Sequence, residues 1–195
     1  MAKRAIIGLK GAVLLPVKTN TVDAYASEST GKISLPYIGK LGKTVKESSQ
    51  DIYYDDELYA NVKDNKGEDL ELRFAEMPLK TLATLGLGAW DDSKKTFEGD
   101  FTPLQKEFSL RCVTNTVSGI PFYFNYRLFT LNKLGFDSFQ TKGDGTQVCE
   151  VIMGGTVTKP AMASVKPYVI YDPGTADGLA AADQWLGAAE TLPGG

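Results

Sequence analysis

The sequence contains no histidine, and this absence excludes more chemistry than any other feature. Histidine is the commonest general base, and it belongs to the Ser–His and Cys–His nucleophilic pairs and to the usual zinc and copper ligand sets. Any catalysis would therefore have to use carboxylates, lysines or hydroxyl groups. No G-x-S-x-G motif marks a nucleophile either. We expect a protein that is not an enzyme, with no catalytic residue, no metal site and no cofactor.

Cysteine is scarce, and long apolar runs are missing. Cys112 and Cys149 each lie in an apolar alternating run, which favours small core residues in a reducing compartment; a disulfide between facing strands is the alternative.

No stretch approaches the roughly 18 apolar residues that a membrane-spanning helix needs, so we expect no membrane partner. The segment 1–17 begins basic and continues apolar, but Lys10 and several glycine or proline breaks interrupt it. It predicts an N-terminal strand rather than a signal peptide.

Patches that combine basic and aromatic side chains are missing as well, which argues against nucleic-acid recognition. The net charge is −3, yet residues 47–76 hold ten acids and three bases, a local net charge of −7 that leaves +4 for the remainder. An acidic segment of this kind repels phosphates instead of binding them. The stretch GKLGKT (39–44) ends like a phosphate-binding loop, but Tyr37 stands where that motif requires its first glycine.

What the sequence has in abundance is β-strand signal, within a length that suits one domain. With 195 residues, 43 % of them hydrophobic, and with 20 glycines and 9 prolines, it predicts a mainly-β protein with many turns. The segment 68–76 alternates apolar and charged residues with a period of two, which is the pattern of a half-buried strand. Further strands are predicted at 33–39, 107–113, 121–131, 147–158 and 167–172, with a bulge at Gly154 and Gly155.

One hairpin is predicted from its turn. Asn65, Lys66 and Gly67 have the composition of a hairpin turn, so the segments 59–62 and 69–74 are expected to pair as antiparallel neighbours across it.

One helix is predicted with equal clarity. Pro78 begins a helix of about ten residues, too short to be stable alone, which must pack on a sheet. Gly86 and Gly88 end it. The polar segment 90–100 is a loop or a distorted hairpin. The Gly/Ala-rich segment 173–195 is either a short docked helix over 179–189 or a mobile tail.

The densest motif is DIYYDDELYA at 51–60, which packs three tyrosines and four carboxylates into ten positions. Its central acids are candidates for a cation or acid–base site, but they lack the ligand spacing of an EF-hand loop, and adjacent acids make a poor glycosidase pair. The other interpretation is a contact loop, in which tyrosines provide adhesion and the acids form a solvated rim. We predict a contact loop formed by Tyr53, Tyr54, Asp55, Asp56, Glu57 and Tyr59.

Four segments in a fixed order carry a likeness to a known family: GLKGAVLLPV, LPYIGKLGKTV, IYYDDELYANV and EDLELRFAEMPLKTLATLGLG. Together they resemble the major tail protein (tail tube protein) family of long-tailed, non-contractile bacteriophages. That family has a Tyr-x-Asp-Asp-like patch before a Leu-x-Leu strand, then an Asp/Glu-x-Pro-Leu step into a helix ending in Leu-Gly. The matching positions are Tyr53, Asp55, Asp56, Tyr59, Leu70, Leu72, Met77, Pro78, Leu79, Leu85 and Gly86. The likeness covers roughly residues 6–88, continues more loosely to 157 and ends after Asp172.

The resemblance implies a β-sandwich of two packed antiparallel sheets with one flanking α-helix over residues 1–172. It also implies a long loop at about 45–69 that reaches an adjacent ring, and leaves 173–195 as a tail or docked helix. Such a protein is a structural virion component of the tail, assembled in the host cytoplasm. Copies form hexameric rings that stack into a tube, a conduit for double-stranded DNA during ejection. Other partners would be tape measure and terminator proteins at the tube ends.

Three acids are predicted to line the lumen of such a tube: Asp69, Glu71 and Glu76. They lie opposite the core face of their strand, where carboxylates would oppose the sticking of DNA through Coulomb repulsion.

Two alternatives stay open at this point. One is the tube of a tail-derived bacteriocin. The other is a carbohydrate-binding β-sandwich module that presents Tyr53, Tyr54 and Trp90 to a sugar.

Overall fold

A computed structural model describes residues 5–35, 38–54, 57–75, 79–86, 88–99, 106–136, 151–175 and 178–193. In chain order the elements are β1 (Ile6–Asn20), β2 (Ala24–Ser27), β3 (Ile33–Leu35), β4 (Ile38–Tyr54), β5 (Glu57–Phe74), α1 (Leu79–Leu85), β6 (Gly88–Asp91), β7 (Thr96–Gly99), β8 (Lys106–Thr116), β9 (Tyr123–Phe136), β10 (Val151–Val157), β11 (Tyr168–Tyr171), α2 (Leu179–Gly187) and β12 (Glu190–Pro193). The prediction of a mainly-β fold with a flanking helix is confirmed. None of the helices within the described ranges has the length and apolar character needed to cross a bilayer.

Ten of the strands form one antiparallel sheet, in the order β12-β2-β1-β8-β9-β10-β5-β4, with β11 added to β9 and β3 added to β1. β3 pairs with β1, while β4, which follows closely in sequence, pairs with β5 at the other end of the order. The sheet must therefore curl until its end returns to β1. The two layers predicted for a sandwich are halves of this one curved sheet, and they face each other across a common core.

Period-two alternation explains how that core is filled. Leu70, Leu72 and Phe74 are each at most 2 % exposed, as their spacing in the sequence predicts. They belong to one apolar cluster with residues of β1, β3, β8, β9 and β10. α1 adds Leu82 and Leu85 to the same cluster, so the predicted helix exists and packs on the sheet as a helix of that length requires.

The segment 45–69 differs from its prediction, because the structure has two paired strands where a long loop was expected. β4 and β5 pair continuously from Ile38 opposite Phe74 to Tyr54 opposite Glu57. The segments 59–62 and 69–74, predicted to pair with each other, lie on the same strand. The turn prediction failed because Gly67, with φ +120°, adjoins a bulge within the paired strands, where β4 shifts register between Lys46 and Glu47.

Other local predictions are confirmed. The register between β9 and β10 shifts at Gly154 and Gly155, where the sequence predicts a bulge. β6 and β7 form a two-stranded hairpin over the segment that was expected to be a loop or a distorted hairpin. Cys112 is a fully buried, free thiol; Cys149 lies outside the described residues.

The C-terminal segment is a docked helix, one of its two predicted alternatives, followed by a strand. We call residues 178–193, which comprise α2 and β12, the strap. β12 pairs with β2. α2 packs Ala182 and Trp185 against Val113 of β8 and Tyr123 of β9. The strap therefore covers part of the outer side of the sheet.

A buried polar network fastens the strap. Glu190 accepts hydrogen bonds from Arg127 Nη2 at 2.6 Å, from Arg127 Nε at 3.1 Å and from Asn125 Nδ2 at 3.1 Å. Arg111, with a side chain 1 % exposed, donates to the carbonyl oxygen of Trp185 and lies 4.9 Å from the centre of its ring. Its Nη2 is 4.0 Å from the Glu190 carboxylate. Two guanidinium groups thus share one carboxylate.

Candidate functional site

The uncovered outer side of β4, β5, β10 and β9 is the part of the sheet where the predicted lumen acids lie. Residues that are directly opposite in an antiparallel pair point to the same side of the sheet, so the strand register assigns this surface. We call it the exposed face and divide it into three rows of four residues. The far row is Lys40, Arg73, Ile152 and Gly135; the middle row is Gly42, Glu71, Gly154 and Lys133; the base row is Thr44, Asp69, Thr156 and Thr130.

Asp69 in the base row is half-exposed, with 45 % of its side chain accessible, but its charge is paired. Lys46 Nζ lies 2.8 Å from Asp69 Oδ1, and the Thr156 hydroxyl donates to the same oxygen at 2.7 Å. Burial alone would raise the pKa of Asp69, but the hydrogen bonds from Lys46 and Thr156 outweigh it and hold that pKa below its usual value. Asp69 is therefore ionised and locally neutralised near pH 7.

Glu71 in the middle row is 38 % exposed and is also paired. Arg73 Nε donates to Glu71 Oε1 at 2.9 Å, and Lys133 Nζ lies 3.9 Å from Oε2. Gly42 and Gly154 flank Glu71 on the neighbouring strands, where missing side chains leave a groove of about 460 Å³. A partner could approach the backbone of the sheet closely in this groove.

The charges on the exposed face differ from the row of repelling carboxylates that the sequence predicts for a lumen. The two described acids are half-exposed on the side of β5 opposite the core, and their place in a lumen stays a prediction. They are not an uncompensated acidic surface, since Lys46, Arg73 and Lys133 lie beside them. Exposed Lys40 adds a further cation in the far row. Glu76, the third predicted lumen acid, lies outside the described residues.

These cations were missed in the sequence because only the strand register brings them together. Lys40 and Lys133 are 93 positions apart in the chain and reach one surface through β5 and β10. A possible signal was the period of two in β4, which places Lys40 on the same side as Gly42 and Thr44.

Beyond the base row, β4 and β5 continue as a two-stranded ribbon. We call the residues 47–54 and 57–64 of this ribbon the arm. β10 pairs with β5 only over Glu68–Phe74, so within the described residues the arm strands pair only with each other. At about 3.4 Å per residue, eight paired positions extend roughly 27 Å from the sheet.

The predicted contact residues lie at the end of the arm. Tyr53 and Tyr54 are the last residues of β4, while Glu57 and Tyr59 lie at the start of β5, with Tyr54 paired to Glu57. The structure therefore brings these four backbone positions together at one tip; their side chains lie outside what is described. Asp55 and Asp56, between the two strands, lie outside the described residues altogether.

Two other kinds of site remain to be placed, a sugar-binding platform and a metal centre. Trp90, part of the alternative sugar platform, is half-buried in β6, a strand of the separate β6–β7 hairpin. Among the residues that the structure describes, no group of three or more His, Cys, Asp or Glu side chains is placed to hold a metal ion.

Comparison with known proteins finds likeness among solved structures. No family model matches the sequence, and no curated protein matches it. Among solved structures, the chain is similar to a chain of the anti-feeding prophage (AFP) baseplate, determined by cryo-EM and 6-fold symmetrised. The two chains are 11 % identical, with a TM-score of 0.43, and the match covers 88 % of this chain and 98 % of the other.

Proposed function

We propose that this protein is a structural, non-enzymatic subunit of a phage tail tube, which self-assembles into stacked hexameric rings around a DNA conduit. The sequence resemblance supports the family and the hexamer. The observation that carries self-assembly is the arm, a two-stranded ribbon that projects from the sheet without a further strand on either side in the described part of the chain.

The physical reason is that an arm of this kind is incomplete by itself. An isolated two-stranded hairpin is at best marginally stable in water, and both of its outer edges offer unpaired backbone groups to another chain. Three tyrosines lie within residues 53–59, and tyrosine is enriched at the residues that dominate interface energies. A neighbouring subunit would supply the missing surface and order the arm.

The exposed face supports a role as the lumen surface. Its paired charges, and not the acidic repulsion predicted from the sequence, are the reason. Its acids each have a cationic neighbour, so the base and middle rows present mostly paired charges together with glycine and threonine. A surface of small residues and paired charges offers few free cations to hold a passing phosphate backbone.

The remaining parts of this function follow from the resemblance alone. They are location in the virion tail, assembly in the host cytoplasm, DNA passage during ejection, and contacts with tape measure and terminator proteins at the tube ends. The same subunit chemistry would serve a tail-derived bacteriocin. The carbohydrate-binding alternative is less well supported, because Trp90 is half-buried in a separate hairpin.

Truncation of the arm tests the proposal. Residues 50–62 would be replaced by Asn-Gly, a two-residue turn that closes the hairpin directly after the Ser49–Lys63 pair. We expect a folded monomer that no longer forms rings or tubes at concentrations where the unmodified chain does, measured by analytical ultracentrifugation and negative-stain electron microscopy. Tubes formed by the truncated chain would refute the role of the arm.

A further inference from the structure

The buried network under the strap holds more positive than negative charge. Two guanidinium groups, those of Arg111 and Arg127, face the single carboxylate of Glu190, so two positive charges against one negative charge leave +1. The three side chains are 1 %, 12 % and 19 % exposed in that order, so little water reaches these charges. Tyr25 also acts on Arg111, but it is neutral near pH 7 because burial raises the pKa of its phenol.

The acceptors of this network are taken by side chains other than Arg111. Glu190 Oε1 accepts from Arg127 Nη2 at 2.6 Å and from Arg127 Nε at 3.1 Å. Glu190 Oε2 accepts from Asn125 Nδ2 at 3.1 Å, and the side-chain oxygen of Asn125 accepts from the Ser109 hydroxyl at 2.7 Å. Both carboxylate oxygens of Glu190 are therefore engaged by partners that lie closer than Arg111.

Arg111 is left with more donors than acceptors. Its Nη1 donates to the carbonyl oxygen of Trp185, while its Nη2 is 4.0 Å from the Glu190 carboxylate, which is beyond hydrogen-bond distance. Its Nε is buried and has no hydrogen-bond partner among the residues that the structure describes. The cross-strand neighbours of Arg111, Val13 and Asn125, carry no charge. A buried polar atom without a partner is rare in folded proteins and marks a place for an ordered water or an ion.

An anion answers both the charge and the free donor, whereas a water molecule answers only the donor. A buried charge without a counter-charge is unfavourable, and guanidinium N–H groups form strong hydrogen bonds with anions. The size of the anion is limited, because the strap closes over the site and a large anion would have to displace it. We infer that a small inorganic anion, of the size of chloride, binds at Nε of Arg111 under the strap and supplies the second counter-charge of the two guanidinium groups.

Such an anion would help to hold the strap on the sheet. Arg111 belongs to β8 and touches the strap through the carbonyl oxygen of Trp185 and through its ring, whose centre is 4.9 Å from the guanidinium carbon. An anion that binds only when the strap is closed stabilises the closed state by mass action. The inference does not depend on the proposed self-assembly, and it gives the strap a stability that varies with the anion in solution.

Exchange of chloride for gluconate at constant sodium concentration tests this site. Gluconate is too large for the enclosed space, so it serves as an inert anion at equal ionic strength. For a site that is half-filled at about 10 mM chloride, about 100 mM chloride makes opening of the strap about tenfold rarer. We expect amide hydrogen exchange at 178–193 to slow by about tenfold, and Tm to rise by about 3–6 °C.

Two variants with the same change in net charge separate this site from the effects of salt on the surface. Arg111→Met removes the buried cation and its Nε donor, and we expect the response to chloride to disappear. Lys18→Met removes a cation that is 68 % exposed and paired with Glu28, and we expect its response to match that of the unmodified chain. Equal responses to chloride in the two variants would overturn the inference.

Chloride NMR of the unmodified chain provides a second test that needs no variant, so the inference stays testable if Arg111→Met does not fold. Exchange of chloride with one site per chain predicts a line broadening that saturates with chloride concentration and is reversed by bromide. Either the absence of saturable broadening, or equal Tm values in chloride and in gluconate, would show that water alone serves the buried Nε. Either result would overturn the inference.

Discussion

Removal of one carboxylate, Glu190, is expected to detach the strap. In Glu190→Gln the neutral amide occupies nearly the same volume, so the change isolates the charge. Arg127 and the fully buried Arg111 then lose the carboxylate that they share. Breaking a buried ion pair by removing one partner costs about 3–5 kcal/mol. Because the Glu190 side chain is 19 % exposed, water compensates part of this loss, and we expect about 3 kcal/mol.

The matched control is Glu28→Gln. Glu28 pairs with Lys18 at 2.6 Å, as closely as Glu190 pairs with Arg127, but its side chain is 37 % exposed and that of Lys18 is 68 % exposed. Exposed pairs contribute at most about 1 kcal/mol. The two variants therefore separate the effect of burial from the effect of distance.

Thermal unfolding and amide hydrogen exchange measure the two outcomes. For a chain of this length, 3 kcal/mol corresponds to a decrease in Tm of about 6–12 °C if the whole domain unfolds together. If the strap opens by itself, the loss appears as faster exchange at 178–193 while β8 and β9 keep their protection. Equal effects of Glu190→Gln and Glu28→Gln, in both measurements, would refute the reasoning about the buried network.

Three further predictions concern the core and one hairpin. Gly155→Ala should destabilise the protein by about 1–3 kcal/mol in a urea titration, because the new Cβ would lie 2.4 Å from a backbone oxygen and 2.5 Å from an aromatic ring of β9. Gly154→Ala should destabilise it less in the same titration, because its new Cβ would meet a lysine side chain at 3.3 Å. In a Cys149→Ser background, Cys112 should not react with thiol reagents at pH 8 until the protein unfolds, since burial raises the pKa of the Cys112 thiol to about 12; labelling of the folded protein would contradict its placement in the core. Hydrogen bonds from the Ser93 hydroxyl and from backbone N–H groups lower the pKa of Asp91, so this group stabilises the β6–β7 hairpin above the unfolded pKa of about 3.9 and loses that effect as pH falls through the lower folded value. Asp91→Asn should remove that part of the acid sensitivity, measured by hydrogen exchange of the hairpin, and an unchanged pH profile would contradict it.

Strands that bury one side were predictable from the sequence, because burial imposes a period of two. β5 between Asp69 and Phe74 is the clearest case, since Leu70, Leu72 and Phe74 alternate with charged residues. The bulge at Gly154 and Gly155 was predictable for a related reason, because paired glycines weaken a regular strand.

The arm was not predictable as a pair of strands, because residues 47–64 are mostly polar and show no regular alternation of apolar and polar residues. That composition is typical of a loop, and only the register with the neighbouring strand shows continuous pairing. The turn chemistry at Asn65–Gly67 then pointed to a reversal, where the structure has a bulge in continuous strands.

The charge pattern of the candidate site depends on long-range register, which no local pattern reveals. Asp69 and Glu71 were correctly assigned to the side opposite the core, but their partners Lys46 and Lys133 come from other strands. The network around Glu190 has the same origin, since it joins residues 63 positions apart.

Negative-stain electron microscopy of the unmodified chain at high concentration tests the central claim most directly, because it asks whether copies of this protein associate into the proposed architecture. Six-fold rings, and stacks of rings with a central channel, are the predicted result. A uniformly dispersed monomer at every concentration and ionic strength would contradict the account.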